Sequence, residues 1–375
     1  MRMHGAAGLT LDAPTTTFER ALEQIAERAI ELDGKPRFPR ENFEVLMAAG
    51  TPQFAADRDR CELGEEIALV RALASMDAST ARILDGHFNG VERLALCAPD
   101  GLRQAELQRV RQGELLIGVW GADPTRGEGP PARIEQDEGA LVLRGVKTFC
   151  SGAGGVQRAL VVARDDHGAR RAAYVDVTDS VRIDRSWYRA SGLRSSESHR
   201  VEFCDTPVLA ILGGEDELMR EPWFSRDAVR TAATWAGIAD CILRATMNTL
   251  GERELDEVRL HAIGRMGVAQ STIDLWLDHS ASRLQEVKED ITSDVGSEPD
   301  GVGSPRALAG ETRVAIADAA RLIAAEAARV CGSRALIDGG TLDRARRDLD
   351  LFLLQHRLDP KLVELGADTL RGGAG

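Results

Sequence analysis

The chain has 375 residues, of which 43% are apolar and 29% charged, with a formal net charge of −13. That length can bury two or three cores, no apolar run reaches membrane-spanning length, and the start of the sequence lacks a basic segment followed by an apolar one, so the expected location is the cytoplasm, with no membrane partner. The acidic balance argues against a nucleic-acid surface and requires a local basic patch wherever an acidic ligand binds; the six cysteines have no C-x-x-C spacing and read as reduced, mostly buried thiols and not as a metal site.

Residues 1–14 lack periodicity and read as a loose tail. From residue 17 to 32, Phe18, Leu22, Ile25, Ala26, Ala29 and Ile30 recur at helical spacing between Glu and Arg residues, which predicts an amphipathic helix. Further helices are expected at 43–49, 65–76, 79–97 and 101–113, so that residues 15–113 form one N-terminal helical domain.

The period changes near Leu115, where Leu116, Ile117, Gly118, Val119 and Trp120 read as a strand, followed by a Gly- and Pro-rich loop over 122–131. Residues 141–150 and 159–164 are β-prone runs around the turn Ser151-Gly152-Ala153-Gly154-Gly155, a hairpin or a pair of neighbouring strands. Later strands are expected at 172–177 and 201–203, giving a middle antiparallel β-barrel over 114–217. Gly152 and Gly154 follow a strand as G-x-G, but Gln157 stands where a third glycine belongs and the next element is a strand, so a dinucleotide-binding loop is excluded by context.

Beyond Trp223 the pattern is helical again, over 227–250, 256–289, 308–331 and 344–358, which predicts a C-terminal four-helix bundle within 218–375. Residues 290–303 are polar and read as an exposed connection, and 371–375 as a frayed end. The predicted fold class is therefore α+β and multidomain.

Four motifs lie in order along these elements. Gly145, Lys147, Phe149, Cys150, Ser151 and Gly152 resemble the flavin-facing strand of the acyl-CoA dehydrogenase family, G-x-K-x-[WF]-[IC]-[ST]-[NG]-[GA]. Val119-Trp120-Gly121-Ala122-Asp123-Pro124 is similar to its strand and loop with a Thr-Glu-Pro core. Residues 192–198, Gly-Leu-Arg-Ser-Ser-Glu-Ser, followed by Val201-Glu202-Phe203, resemble its G-x-R-x-S-x-T and V-x-F, and Gly332 followed fifteen residues later by Arg347-Asp348 resembles the spacing of its Gly-Gly and Arg-Asp motifs. The resemblance covers nearly the whole chain. It implies a helix, β-barrel and helical-bundle architecture, a bound FAD, a homodimer or homotetramer, and an electron acceptor that is a flavoprotein or oxygen.

Carried over residue by residue, the resemblance implies that Phe149 packs on the isoalloxazine and Ser151 hydrogen-bonds near its N5 edge. The backbone at Trp120 and Ala122 meets the pyrimidine, and Gly332 lies near the pyrophosphate, where the family's glutamine is missing and Arg329 or Arg334 can compensate through charge-assisted hydrogen bonds. A residue-level reading agrees in part, since residues two apart on a strand share a face, while Phe149 as a core aromatic and Ser151 as a turn residue is the plain alternative.

The family's proton-abstracting glutamate is missing: eight residues after Asp348 stands His356. Counting ten residues back from Gly237, where other members place the base, gives Asp227, which reads either as a substitute base or as an acidic first-turn residue of a helix. His356 reads as a general acid or base or as a structural histidine. His87 and His356 also resemble the histidine pair of the dibenzothiophene monooxygenase branch of the fold. Three functions follow: α,β-dehydrogenation of an acyl-CoA-type thioester, with Asp227 or His356 as base; oxygenation by reduced flavin; or a scaffold that has lost catalysis.

Overall fold

The computed structural model describes residues 16–57, 62–251, 255–291, 304–337 and 339–372. The expected polar connection at 290–303 and both chain ends fall almost wholly outside these residues. Helix α1 (Thr17–Gly34) begins at Thr16, whose hydroxyl accepts the Glu19 N–H while the Glu19 carboxylate accepts the Thr16 N–H, a reciprocal cap. Then come α2 (Arg40–Ala48), α3 (Thr51–Phe54), α4 (Leu63–Ala74), α5 (Ala78–Cys97) and α6 (Asp100–Arg111). Asp77 caps α5 by accepting the Thr80 N–H at 3.0 Å. From Ala78 to Leu94 every residue of α5 except Arg82 is buried. This helix therefore carries Asp85, His87, Asn89, Glu92 and Arg93 into the interior, where each needs a polar partner.

Seven strands follow: β1 (Ile117–Trp120), β2 (Arg133–Asp137), β3 (Ala140–Cys150), β4 (Arg158–Arg164), β5 (Arg170–Asp176), β6 (Val181–Asp184) and β7 (His199–Leu212). Pairings run from β4 through β2, β3, β7 and β5 and back to β4, with β1 added beside β4 and β6 beside β7. The expected antiparallel arrangement needs correcting: β1 lies parallel to β4, and β2 touches β4 in parallel register, so the sheet is mixed. The expected pairing of the two β-prone runs is also absent, because β3 pairs with β2 and β7 whereas β4 pairs with β1, β2 and β5. The β3 hairpin partner is β2, through a two-residue turn in which Glu138 (φ 46°) and Gly139 (φ 88°) both adopt the left-handed conformation that suits a twisted hairpin.

The C-terminal region contains α7 (Trp223–Leu250), α8 (Glu257–Ile291), α9 (Pro305–Cys331), α10 (Thr341–Gln355) and α11 (Asp359–Gly372), the last absent from the sequence expectation. Helix α7 packs on α4, α9 and α10, and also on α5, so the bundle and the N-terminal helices share one interior. Gly237 permits this approach, since a Cβ there would lie 2.2 Å from the Arg71 carbonyl oxygen. Gly192 does the same where α10 meets the segment before β7: a Cβ would fall 2.2 Å from the Arg347 oxygen. The junction is fastened by the Leu193 N–H donating to Asp348 at 2.6 Å. Among the described residues no helix is long and apolar enough to cross a membrane, and no group of His, Cys, Asp and Glu is arranged to hold a metal ion.

Candidate active site

At the end of β3 the ladder slips between Lys147 and Cys150, and Phe149 adopts φ 52°. A bulky residue in the left-handed region costs on the order of 1–3 kcal/mol, and such strain persists only where the surroundings impose it. Here it swings the ring out of the strand: Phe149 is 44% exposed and stands edge-on to Trp187 (5.0 Å) and Tyr188 (6.4 Å). It is not a core aromatic. Two residues on, the Ser151 hydroxyl is 2.9 Å from that of Ser198, which is 2.8 Å from that of Ser196, and the Tyr188 hydroxyl lies beside the same serines and donates to the Gly192 and Leu193 carbonyls. Burial raises Tyr188 to about 12, so its proton stays on.

Trp120 contributes scaffolding: its side chain is buried against Phe203 and its indole N–H donates to the Ser151 carbonyl at 3.0 Å. Only its backbone remains to meet a ligand. Ala122 is exposed, and its carbonyl accepts the Thr148 N–H, which ties the 122 loop to the strand that carries Phe149. Buried Lys147 pins the same loop through Asp123 at 2.6 Å and the Gly121 carbonyl at 3.2 Å. An exposed aromatic, a hydroxyl row and a backbone edge thus lie together in a form that a flat, polar-edged ring can use.

His356 ends α10 in a cluster of rings, 5.3 Å from Trp235 and 5.2 Å from Phe352, which themselves stand 6.1 Å apart. The Arg313 guanidinium lies 5.4 Å over Trp235 and that of Arg82 lies 5.7 Å over Phe352. Burial, then the charges of Arg313 and Arg82, hold His356 well below its ordinary pKa, so the imidazole is neutral. Among the described residues its ring nitrogens have no hydrogen-bond partner, which leaves both for a ligand. Arg82, whose guanidinium lies over Phe352, also acts against the rise of the Tyr188 pKa through its charge.

His87 is differently placed. It is fully buried, accepts the Ile117 N–H at Nδ1 (3.1 Å) and donates from Nε2 to the Pro52 carbonyl (3.1 Å), while burial lowers it to about 4. Both nitrogens are occupied in joining α5 to β1 and α3, so the sequence-based catalytic role gives way to a structural one.

Asp227 is not a first-turn residue, because α7 begins a turn earlier at Trp223, and burial raises it to about 7. Its carboxylate accepts from Arg93 at 2.7 Å and Arg230 at 3.0 Å. Arg230 also binds Glu66 (2.6 Å) and Glu92 (2.8 Å), and Arg226 binds Glu92 (3.0 Å). Three guanidiniums thus face three carboxylates across α4, α5 and α7, and Asp227 is one counter-ion of the set. Arg230 Nη1 reaches Asn89, which donates weakly to Asp85; Asp85 also receives the Thr231 hydroxyl and pairs with Arg82 at 2.9 Å. Polar contacts therefore run unbroken from the ionic set to the ring cluster.

No family model matches the sequence, and no curated protein matches it. Solved structures do. Methanesulfinate monooxygenase MsuC from Pseudomonas fluorescens superposes with a TM-score of 0.83 at 22% identity, over 96% of this chain and 98% of that one. TdsC from Paenibacillus sp. A11-2, solved with FMN and indole, gives 0.78 at 18% identity over 95% and 96%. KijD3, in complex with FMN and dTDP-3-amino-2,3,6-trideoxy-4-keto-3-methyl-D-glucose, gives 0.81 at 18% identity over 96% of each chain.

The chain has the acyl-CoA dehydrogenase fold. Within that fold two residues expected near a pyrophosphate are arranged as follows. Arg329, near the end of α9, donates twice to Glu326 at 2.6 and 2.8 Å, and Arg265 reaches the same carboxylate at 2.5 Å. Its charge already has a protein partner. Gly332 closes α9 at φ 72°, a conformation that suits glycine at a helix end.

Sequence reasoning missed Arg82, Tyr188, Trp235, Arg313 and Phe352. Trp235 lies two residues before Gly237, on an expected helix, yet only the packing of α7 on α10 shows that it meets His356. Arg313 carried one legible sign: a cation amid Thr312, Val314, Ala315 and Ile316, without a carboxylate on its own face four residues away on either side.

Proposed function

We propose that the protein is a monooxygenase that uses reduced FMN delivered by a separate reductase. The observation that carries this reading is the cluster around His356: a neutral imidazole with free nitrogens, walled by Trp235 and Phe352, and with no unpaired carboxylate beside it. The carboxylate counted as a substitute base, Asp227, is held by two guanidiniums. Methanesulfinate monooxygenase and the FMN complexes of the same fold support the same direction.

In this reading Phe149 supports one side of the ring system, and Ser151, oriented by Ser198 and Ser196, offers a hydroxyl to its polar edge. When bound and reduced, the flavin supplies the electrons that activate dioxygen for transfer of one oxygen atom to the substrate. His356 takes or returns a proton at a ring nitrogen, beside the buried rings of Trp235 and Phe352. FMN fits better than FAD, because Arg329 is already bound by Glu326.

The test supplies FMN, NADH and a flavin reductase and measures oxygen uptake against product for a panel of small organosulfur and aromatic compounds. Coupled oxygenation is expected, and acyl-CoAs should leave the oxidised flavin yellow under anaerobic conditions. Anaerobic bleaching by an acyl-CoA would establish the dehydrogenase instead, and failure to bind any flavin would establish a scaffold.

A further inference from the structure

The four most buried arginines among the described residues are each matched to acids. Arg226 and Arg230 meet Glu92, Glu66 and Asp227, Arg93 meets Asp227, and Arg344 stands 3.6 Å from both Asp77 and Asp348. The half-buried Arg313 has no ion pair and no hydrogen bond among the described residues, and its Nε–H is buried without an acceptor, as is that of Arg346; of the two, only Arg313 stacks on a ring. Beneath it lies Trp235, fully buried, whose indole N–H is likewise without an acceptor. Burial alone lowers Arg313 to about 10, which leaves it charged at neutral pH.

A buried N–H left without an acceptor is destabilising, and here two such donors adjoin, one on Arg313 and one on Trp235. Such an arrangement is retained where an anion completes it. We propose that Arg313 and Trp235 recognise the acidic group of a small anionic substrate and hold its body against Phe352 and His356. This rests on the monooxygenase reading only in taking the reacting atom to lie next to His356. The guanidinium fork offers parallel N–H donors to a two-oxygen anion such as a carboxylate or sulfinate, and the indole N–H adds a directional third. Arg82, over the neighbouring Phe352 ring, adds positive potential, although Asp85 already takes one of its donors. The rings provide an apolar wall for a short carbon body. A cleft of about 490 Å³ between α9 and α11 is lined by Gly310, one helical turn from Arg313, but not by Arg313 itself.

Calorimetric titration of the full-length protein without flavin tests this, with methanesulfinate, acetate, inorganic sulfate and inorganic phosphate as probes. Dimethyl sulfoxide serves as the uncharged match to methanesulfinate. At least one anion is expected to bind where dimethyl sulfoxide does not. Arg313→Gln should weaken that anion about ten- to a hundredfold, Trp235→Phe several-fold, and Arg313→Lys by an intermediate amount, while FMN affinity stays within about twofold in all three. The Lys and Phe variants carry the test if the Gln variant does not fold. Absence of binding by every anion, equal binding by dimethyl sulfoxide, unchanged anion affinity in the variants, or a parallel loss of FMN affinity would each overturn the assignment. The titration needs no redox chemistry, so it stands if the protein proves to be a dehydrogenase. Oxygenation of neutral substrates without anion binding would leave the monooxygenase reading intact and remove this one.

Discussion

Replacing Arg230 by methionine probes the ionic set that makes Asp227 a counter-ion. Arg230 is fully buried and is the one residue bound to Glu66, Glu92 and Asp227 together, at 2.6, 2.8 and 3.0 Å. Methionine fills much of the volume but removes the guanidinium that two fully buried glutamates and the partly buried Asp227 share. Removing one partner from a buried ionic group costs about 3–5 kcal/mol. With an unfolding entropy of about 2.1 cal/mol/K per residue, a chain of this length loses roughly 4–6 °C in Tm. The stranded carboxylates relieve their repulsion by taking up protons, so the deficit should be larger at pH 8 than at pH 5.5. Differential scanning calorimetry at the two pH values measures both effects. A variant that melts within about 1 °C of the parent, or a deficit that grows as the pH falls, would refute the idea that this set is tightly coupled and that Asp227 belongs to it.

Phe149→Gly removes the left-handed strain and the ring together: the flavin-free protein should gain about 1 kcal/mol in urea melts while FMN affinity falls about tenfold, and a loss of stability would contradict the strain argument. Burial raises Asp348 to about 6, so the folded state holds a proton there that the unfolded chain releases near its ordinary value of 3.8. That contribution is complete below about pH 4 and is lost as pH rises through about 6; Asp348→Asn, which can still accept from Leu193, should flatten the slope across this window relative to the parent. His356→Gln should abolish oxygenation with Tm unchanged within about 2 °C, whereas Asp227→Asn should lower Tm and leave most turnover. The reverse pattern would exchange the roles assigned to these two residues.

What the sequence allowed to be read followed from periodicity and from residue order. Helical spacing located α1, α5, α7 and α9 to within a few residues, because each buries a continuous apolar face. The exposed ring of Phe149 beside the Ser151 hydroxyl was legible from the motif, although the reason was not: a bulge and a left-handed backbone, and not simple alternation, turn the ring outward. Strand partners were illegible because residues 151–155 look like a hairpin turn but instead bind to the 196–197 segment, while the true turn at Glu138-Gly139 carries only one glycine. The ion pairs of Asp227 were illegible because a carboxylate near a helix start has a ready local explanation, whereas its partners Arg93 and Arg230 lie 134 and 3 residues away. The ring cluster at His356 draws on α5, α7, α9 and α10, and no local pattern marks a contact among four helices.

The most direct test is a crystal structure of the protein with FMN. The account predicts the isoalloxazine ring against Phe149, its polar edge within hydrogen-bond reach of Ser151, and His356 facing the ring from the bundle. An isoalloxazine seated elsewhere, such as the cleft between α9 and α11, or one that leaves Phe149 and Ser151 untouched, would contradict it.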